Sequence, residues 1–362
     1  MPKRLIFNSD GGKYIVLPYT GFTNFGAYTD PPTLRVAVPF FDNVSDALVP
    51  ALKSSASYEE DLKLQGIAGI TSLIAKGPST SGTRTLAYED KIAFPFLFFR
   101  GESREEHGIL PTLYRTPAGQ DPAIIVRRRL KAERRAARLM QAALLLGHGR
   151  RLSFEHGRAA ARHYGVSSAL TDFSFDPRIA ACFAQAPFRD LEKQQPSSRP
   201  VAIIYCLSYD MLQRVFPTQG WKPLATGGME IQFYPLGQAL RIPFLAFDPQ
   251  SESLVESTAT IAIPDWAMNK TVTLRGVPVP GVRRIVLQQG IFIEIDVKDP
   301  ADWITPMFFW YLLDFMSQKW AFFRADTAYS DPTGEISFAK ILPPDSYAIR
   351  LASWVINSGI IK

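Results

Sequence analysis

Two cysteines in 362 residues exclude a disulfide framework and a zinc site built from cysteine pairs. Cys182 and Cys206 both stand in apolar runs, which predicts buried, inert thiols. Histidine is scarce too: His107, His148, His156 and His163 show no metal-ligand spacing, so no metal is expected. The patterns His-Glu-x-x-His, Gly-x-Ser-x-Gly and Gly-x-Gly-x-x-Gly are absent, which weighs against zinc hydrolases, α/β-hydrolases and dinucleotide folds. Gly77 and Gly82 have phosphate-loop spacing, but Arg84 follows Thr83 where lysine and then a hydroxyl residue are needed, and that motif fails. Long apolar runs are missing as well. The most apolar stretch, Trp303 to Phe323, is broken by Pro306, Asp314, Gln318 and Lys319, so no membrane span is expected. The N-terminus has too short an apolar run for a signal peptide, and the expectation is a cytoplasmic protein.

What is present is a large apolar fraction, 46%, against 20% charged residues, enough for a sizeable core. The net charge of +6 is unevenly placed. Nine basic residues and one acid, Glu133, fall between Arg127 and Arg151, a local +8 that leaves −2 for the rest of the chain. A uniformly basic coat is therefore excluded, and the basicity belongs to one segment.

Residues 1–90 read as an irregular extension that packs on the core, with β-prone runs at 14–17 and 34–38 and one or two short helices within 43–68. The remainder, 91–362, reads as one domain. Ile92 to Phe99 is apolar enough for a strand buried on both faces. Apolar residues at 130, 137, 140 and 144 predict a helix over Arg127 to Leu146, stopped by Gly147 and Gly149. A second helix is predicted from Phe154 to Tyr164, and a third from Pro177 to Ala186, with proline at the first-turn position. Strands are predicted at 201–207 and 285–297, and helices at 303–323 and 345–356. Strands and helices alternate without a βαβ rhythm, so the fold class is α+β, with mixed, mainly antiparallel sheets and flanking helices.

Three places carry chemistry. Arg100, at the end of an apolar strand, is costly to bury unless paired: it is either bridged to a carboxylate such as Asp172 or poised as an anion clamp beside Gly101. The segment Thr171, Asp172, Phe173, Ser174 offers hydroxyls and a carboxylate that suit a ribose or an amide, and Phe173 or Tyr164 offers a ring face. The alternative is a core junction in which Asp172 or Asp176 caps the following helix. Small residues at 180, 181 and 184 permit a close approach of that helix to its neighbour. The third place is the arginine cluster Arg127, Arg128, Arg134, Arg135 and Arg138, read either as a solvated face or as a contact for nucleic acid or an acidic partner. It contains no aromatic residue, so phosphate contact is all it can give.

Phe99-Arg100-Gly101, followed by Leu110 to Arg115, resembles the opening of the FRG domain. His163-Tyr164-Gly165 with Leu170, Asp172, Ser174, Pro177, Ala180, Phe183 and Ala184 resembles its second block. Arg284 to Phe292, with Gln288-Gln289-Gly290, resembles the third, and Lys340 to Pro344 the closing element. The chain departs from the family pattern at Ala169, usually Arg, and at Phe173, usually Trp.

The order of these blocks is similar to an ADP-ribosyltransferase core of the Arg-Ser-Glu type, and the resemblance implies NAD as substrate. In that reading Arg100 and Gly101 meet the pyrophosphate, while Tyr164, Thr171, Asp172, Phe173, Ser174 and Gln288 meet the ribose and nicotinamide. Gln289, Glu294 and Glu230 are the candidates beside Arg100 for the catalytic position, since Gln289 is followed two residues on by Ile291 and not by the usual Glu. The implied activity is a toxin- or defence-type transferase that modifies nucleic acid or protein, with a neutralising antitoxin or regulator as a further partner. The alternative is a non-catalytic nucleotide- or nucleic-acid-binding module acting as an interaction or regulatory protein.

Overall fold

The computed structural model describes residues 5–9, 11–19, 25, 34–64, 97–104, 108–115, 119–148, 153–185, 200–208, 211, 218–223, 229–233, 239–268, 272–277, 290–297, 302–325, 327–332, 334, 336–337, 340, 350–352, 354–355 and 358. The fold is α+β, an open, mostly antiparallel sheet with helices packed on it.

In chain order the elements are β1 (Ile6–Ser9), β2 (Gly12–Tyr19), β3 (Leu34–Phe41), α1 (Val44–Leu64), β4 (Leu97–Glu102), α2 (Pro122–His148), α3 (Phe154–His163), β5 (Thr171–Ser174), α4 (Pro177–Ala184) and β6 (Val201–Ser208). There follow β7 (Thr218–Pro223), β8 (Met229–Phe233), β9 (Ala239–Asp248), β10 (Ser253–Ala262), β11 (Val272–Val277), β12 (Gly290–Val297), α5 (Ile304–Met316) and β13 (Gln318–Phe323). The strands run β1-β2-β3-β13-β6-β4-β5-β12-β11-β8-β7, with the β9–β10 hairpin joined to β3. Pairing is antiparallel except between β3 and β13, which are parallel. The N-terminal segment thus supplies three strands and a helix to the same sheet.

Strand β6 shows why this sheet needs cover on both sides. Val201, Ile203, Tyr205 and Leu207 point into one core with Phe98, Phe173 and the apolar residues of α5. Ala202, Ile204 and Cys206 point into another, with Phe99, α1 and α4. The period of two along a strand makes this division unavoidable. A third cluster packs α2 and α3 onto Leu170 and Phe292.

Caps and turn residues set the limits of α3, and those of α4 act as the sequence predicts. Ser153 caps α3 by accepting from the His156 N–H, and Gly165 follows it at φ 91°. Asp176 caps α4 by accepting from the Arg178 N–H, with Pro177 at the first position. Both cysteines are buried, and burial pushes each thiol up to about 12.

The stretch 303–323 is a correction. It is not one helix: α5 ends at Met316 and the chain turns directly into β13. Both pieces are almost wholly apolar, and periodicity does not separate a buried helix from a buried strand. Lys319 marks the break, donating from Nζ to the carbonyls of Asp314, Phe315 and Ser317 at the end of α5. Burial lowers that ammonium to about 8, although Asp314 opposes the shift.

Candidate functional site

Strands β4, β5 and β12 are neighbours, and β4 and β5 barely join. Among the described residues they pair through Phe99 and Ser174 alone, and beyond that point they part. Arg100 fills the fork. Its Nη1 donates to the Asp172 carbonyl at 2.7 Å, where a ladder bond would otherwise run, and to Asp172 Oδ1 at 2.9 Å. Nε and Nη2 both donate to Glu102 Oε1, two residues along the same strand face. Of the two sequence readings of Arg100, the carboxylate bridge to Asp172 is thus present.

The network extends past this pair. Arg162, from the end of α3, donates to the same Asp172 Oδ1 at 2.7 Å, and Arg115 donates to Glu102 at 2.7 Å. Three guanidiniums therefore face two carboxylates. Burial alone would raise the Asp172 carboxyl, but Arg100 and Arg162 outweigh it and hold it well below the usual carboxylate range. Burial likewise works against the Arg100 charge, and Asp172 and Glu102 overcome it. Arg115 is lowered by burial, with Glu102 opposing and Arg100 reinforcing the shift. The Arg162 Nε is buried and makes no hydrogen bond. Asp172 is half-buried, while the two guanidiniums that converge on its Oδ1 are largely buried.

The remaining predicted residues fall into distinct places. Thr171 and Ser174 are buried on β5; the Thr171 hydroxyl donates to the Ile109 carbonyl, and Ser174 Oγ accepts from the Asp176 N–H. Phe173 sits in the core, stacked on Trp310 at 6.4 Å and edge-on to Phe98. Tyr164 caps the end of α3, half-buried against the third cluster. Gln288 and Gln289 lie outside the described residues.

Glu294 is buried on β12, where Arg158 of α3 grips it with two bonds, Nη1 to Oε2 at 3.0 Å and Nη2 to Oε1 at 2.6 Å. Arg158 also meets Glu133 at 3.2 Å and Glu155 at 2.8 Å. Burial would weaken the Arg158 charge, but Glu294 and Glu133 raise it well above its ordinary value. Glu133 is raised by burial, with Arg158 opposing. By register Glu294 stands opposite Arg275 of β11, and Arg275 opposite Glu230 of β8. These three positions form one row across β12, β11 and β8.

Residues 96–193 match the family model of the FRG domain. The chain carries an FRG domain. No curated protein and no solved structure matches the chain. The matched segment holds β4, β5, α2, α3 and α4, and with them every residue of the fork. Its opening tripeptide has a physical account. Phe99 fills the core under α1 and α4, and Arg100 bridges the fork. Gly101 lets α4 lie against the strand: a Cβ there would stand 1.8 Å from the Ala180 carbonyl oxygen and 2.5 Å from the Ala184 nitrogen. The small residues predicted to allow a close helix approach do so at this glycine.

Sequence reasoning missed Glu102, Arg115, Arg158 and Arg162 of the FRG domain. The first two stand inside the opening block, and Arg162 directly precedes His163, so proximity to the motif was the available signal. Arg158 offered only its neighbour Glu155 three residues before it, and nothing local pointed to Glu294, 136 residues away.

Proposed function

We propose that the chain is an NAD-dependent ADP-ribosyltransferase with an ADP-ribosyltransferase-like core, a toxin- or defence-type effector that modifies nucleic acid or protein. One observation carries the reading: the elements bearing Arg100, Thr171 to Ser174 and Glu294 are consecutive strands, β4, β5 and β12, with Arg100 at the fork between the first two. The fork suits an anion. Two guanidiniums converge on Asp172 Oδ1, the cluster has one positive charge in surplus, and a buried Arg162 N–H is unused. The Asp172 carboxylate occupies the position that a pyrophosphate oxygen would take on Arg100 and Arg162.

NAD supplies a ribose–nicotinamide bond whose cleavage leaves positive charge on the sugar, as in glycoside cleavage. Arg100 and Arg162 would orient the pyrophosphate, and a carboxylate of the Glu230–Glu294 row would stabilise the developing charge. Arg158 holds Glu294 through both side-chain oxygens, and each oxygen has a further lone pair able to accept from a ribose hydroxyl.

A second reading is favoured by the Arg158–Glu294 grip itself. An acid held by two bonds and buried is a scaffold element, and such a domain would bind a nucleotide without turnover. The test is incubation of the chain with NAD labelled in its adenylate half and a cell extract. Label transferred to a macromolecule supports the transferase. NAD binding with neither transfer nor nicotinamide release supports the second reading.

A further inference from the structure

Helix α2 carries a feature that the fork does not use. Arg127, Leu130, Lys131, Arg134, Arg135 and Arg138 line one open groove of about 460 Å³. Their spacing is that of one helix face, and the five cations span about 16 Å of it at 1.5 Å per residue. The opposite face is committed inward. Ala136, Ala137, Met140, Ala143 and Leu144 are buried, and α3 approaches so closely that a Cβ on Gly157 would stand 2.3 Å from the Ala137 carbonyl.

The other charges of the segment also point away from the stripe. Glu133, its one acid, is buried and bonded to Arg158 and Ser168, so it neutralises none of the stripe. Arg129 turns inward, donating to the carbonyls of Thr112, Leu113 and Arg115. Among the described residues no acid pairs with Arg127, Lys131, Arg134 or Arg138, all of which are exposed. The residue types select between polyanions. A protein partner needs apolar or aromatic anchors at the centre of its interface. The groove has only the half-buried Leu130, and the apolar residues that α2 does expose, Ile124, Leu145 and Leu146, lie at its ends. A row of arginines without anchors suits phosphodiesters, which Arg meets with two parallel bonds.

We infer that this face of α2 docks the phosphodiester backbone of a nucleic-acid duplex, without reading base sequence. The inference does not depend on the transferase reading, since its readout is binding alone. A duplex carries one charge per about 1.7 Å of axis, so about ten phosphates span the stripe and about half of them face it, enough for Arg127, Lys131, Arg134 and Arg138 each to meet one.

The test is fluorescence anisotropy of the full chain with a labelled 30-base-pair DNA duplex, an RNA duplex of the same length, and a polyglutamate peptide, each over 50–200 mM salt. About four contacts give a slope of log K against log salt of about −3.6, or roughly a 150-fold loss across that range. Arg134→Glu with Arg138→Glu should flatten the slope by about 2 and weaken binding at least tenfold, while Arg134→Lys with Arg138→Lys keeps the slope. Unchanged circular dichroism shows that the exposed substitutions leave the fold intact. Binding of one duplex over the other assigns DNA or RNA as the source of the backbone. Overturning results are no duplex binding at 50 mM salt, a slope that the charge reversal leaves unchanged, or tighter binding of polyglutamate than of either duplex.

Discussion

Gly101→Ala tests the geometry around the fork with a single methyl group. The added Cβ would stand 1.8 Å from the Ala180 carbonyl oxygen, 2.5 Å from the Ala184 nitrogen and 2.8 Å from the Ala180 carbonyl carbon. All three are backbone atoms of α4, so no side chain can rotate away. Ordinary contact would require α4 to withdraw by more than 1 Å from β4, pulling Ile179, Ala180 and Ala184 out of the core they share with Phe99 and α1. Overpacking of a well-filled core costs about 1–3 kcal/mol, and a clash against backbone belongs at or above the upper end. At about 2–4 °C per kcal/mol for a large domain, Tm should fall by about 6 °C or more. Gly334→Ala is the control: its φ is 70° but a Cβ meets nothing within 4 Å, so only the left-handed backbone cost of about 1–2 kcal/mol applies. Thermal melts of both variants decide the matter. Equal Tm losses, or a Gly101→Ala chain as stable as wild type, would refute the close packing of α4 on β4.

The charge networks give further expectations. Arg158→Met should destabilise by about 3–5 kcal/mol, because the buried Glu133 and Glu294 lose the guanidinium that grips them both, whereas Glu133→Gln should cost little because it relieves a carboxyl that burial already raises; urea titrations compare the two. Asp172 has a folded pKa below its unfolded value of about 3.9, so its contribution is present above that pH and is lost as the pH falls further. Wild type should therefore lose Tm more steeply below about pH 4 than Asp172→Asn does; parallel profiles would refute the pairing. Cys182 and Cys206 should resist a thiol reagent in the native chain and react together on unfolding, because burial holds both thiols up to about 12.

What was legible in the sequence was what local chemistry decides. Asp176 and Pro177 mark the start of α4 because caps and first-turn residues act within a few positions. The Arg100–Asp172 pairing was readable for a different reason: an arginine closing an apolar strand must find a carboxylate. The failures have physical causes as well. Trp303 to Phe323 is mostly apolar on both sides of its few polar residues, and the tertiary position of Lys319 over the end of α5 shows where helix gives way to strand. The Arg158 hub reaches Glu133 of α2 and Glu294 of β12, and no local pattern encodes contacts at such separations. The basic stripe was visible as composition, but that Glu133 and Arg129 turn inward and leave it unbalanced required the fold.

Nicotinamide release tests the transferase most directly. Wild-type chain incubated with NAD and a cell extract should release nicotinamide above the protein-free rate. Arg100→Lys, which keeps the charge but loses the fork geometry, should lower that rate at least about a hundredfold while the melt stays cooperative. A rate indistinguishable from the protein-free control, or one that Arg100→Lys leaves unchanged, would contradict the transferase.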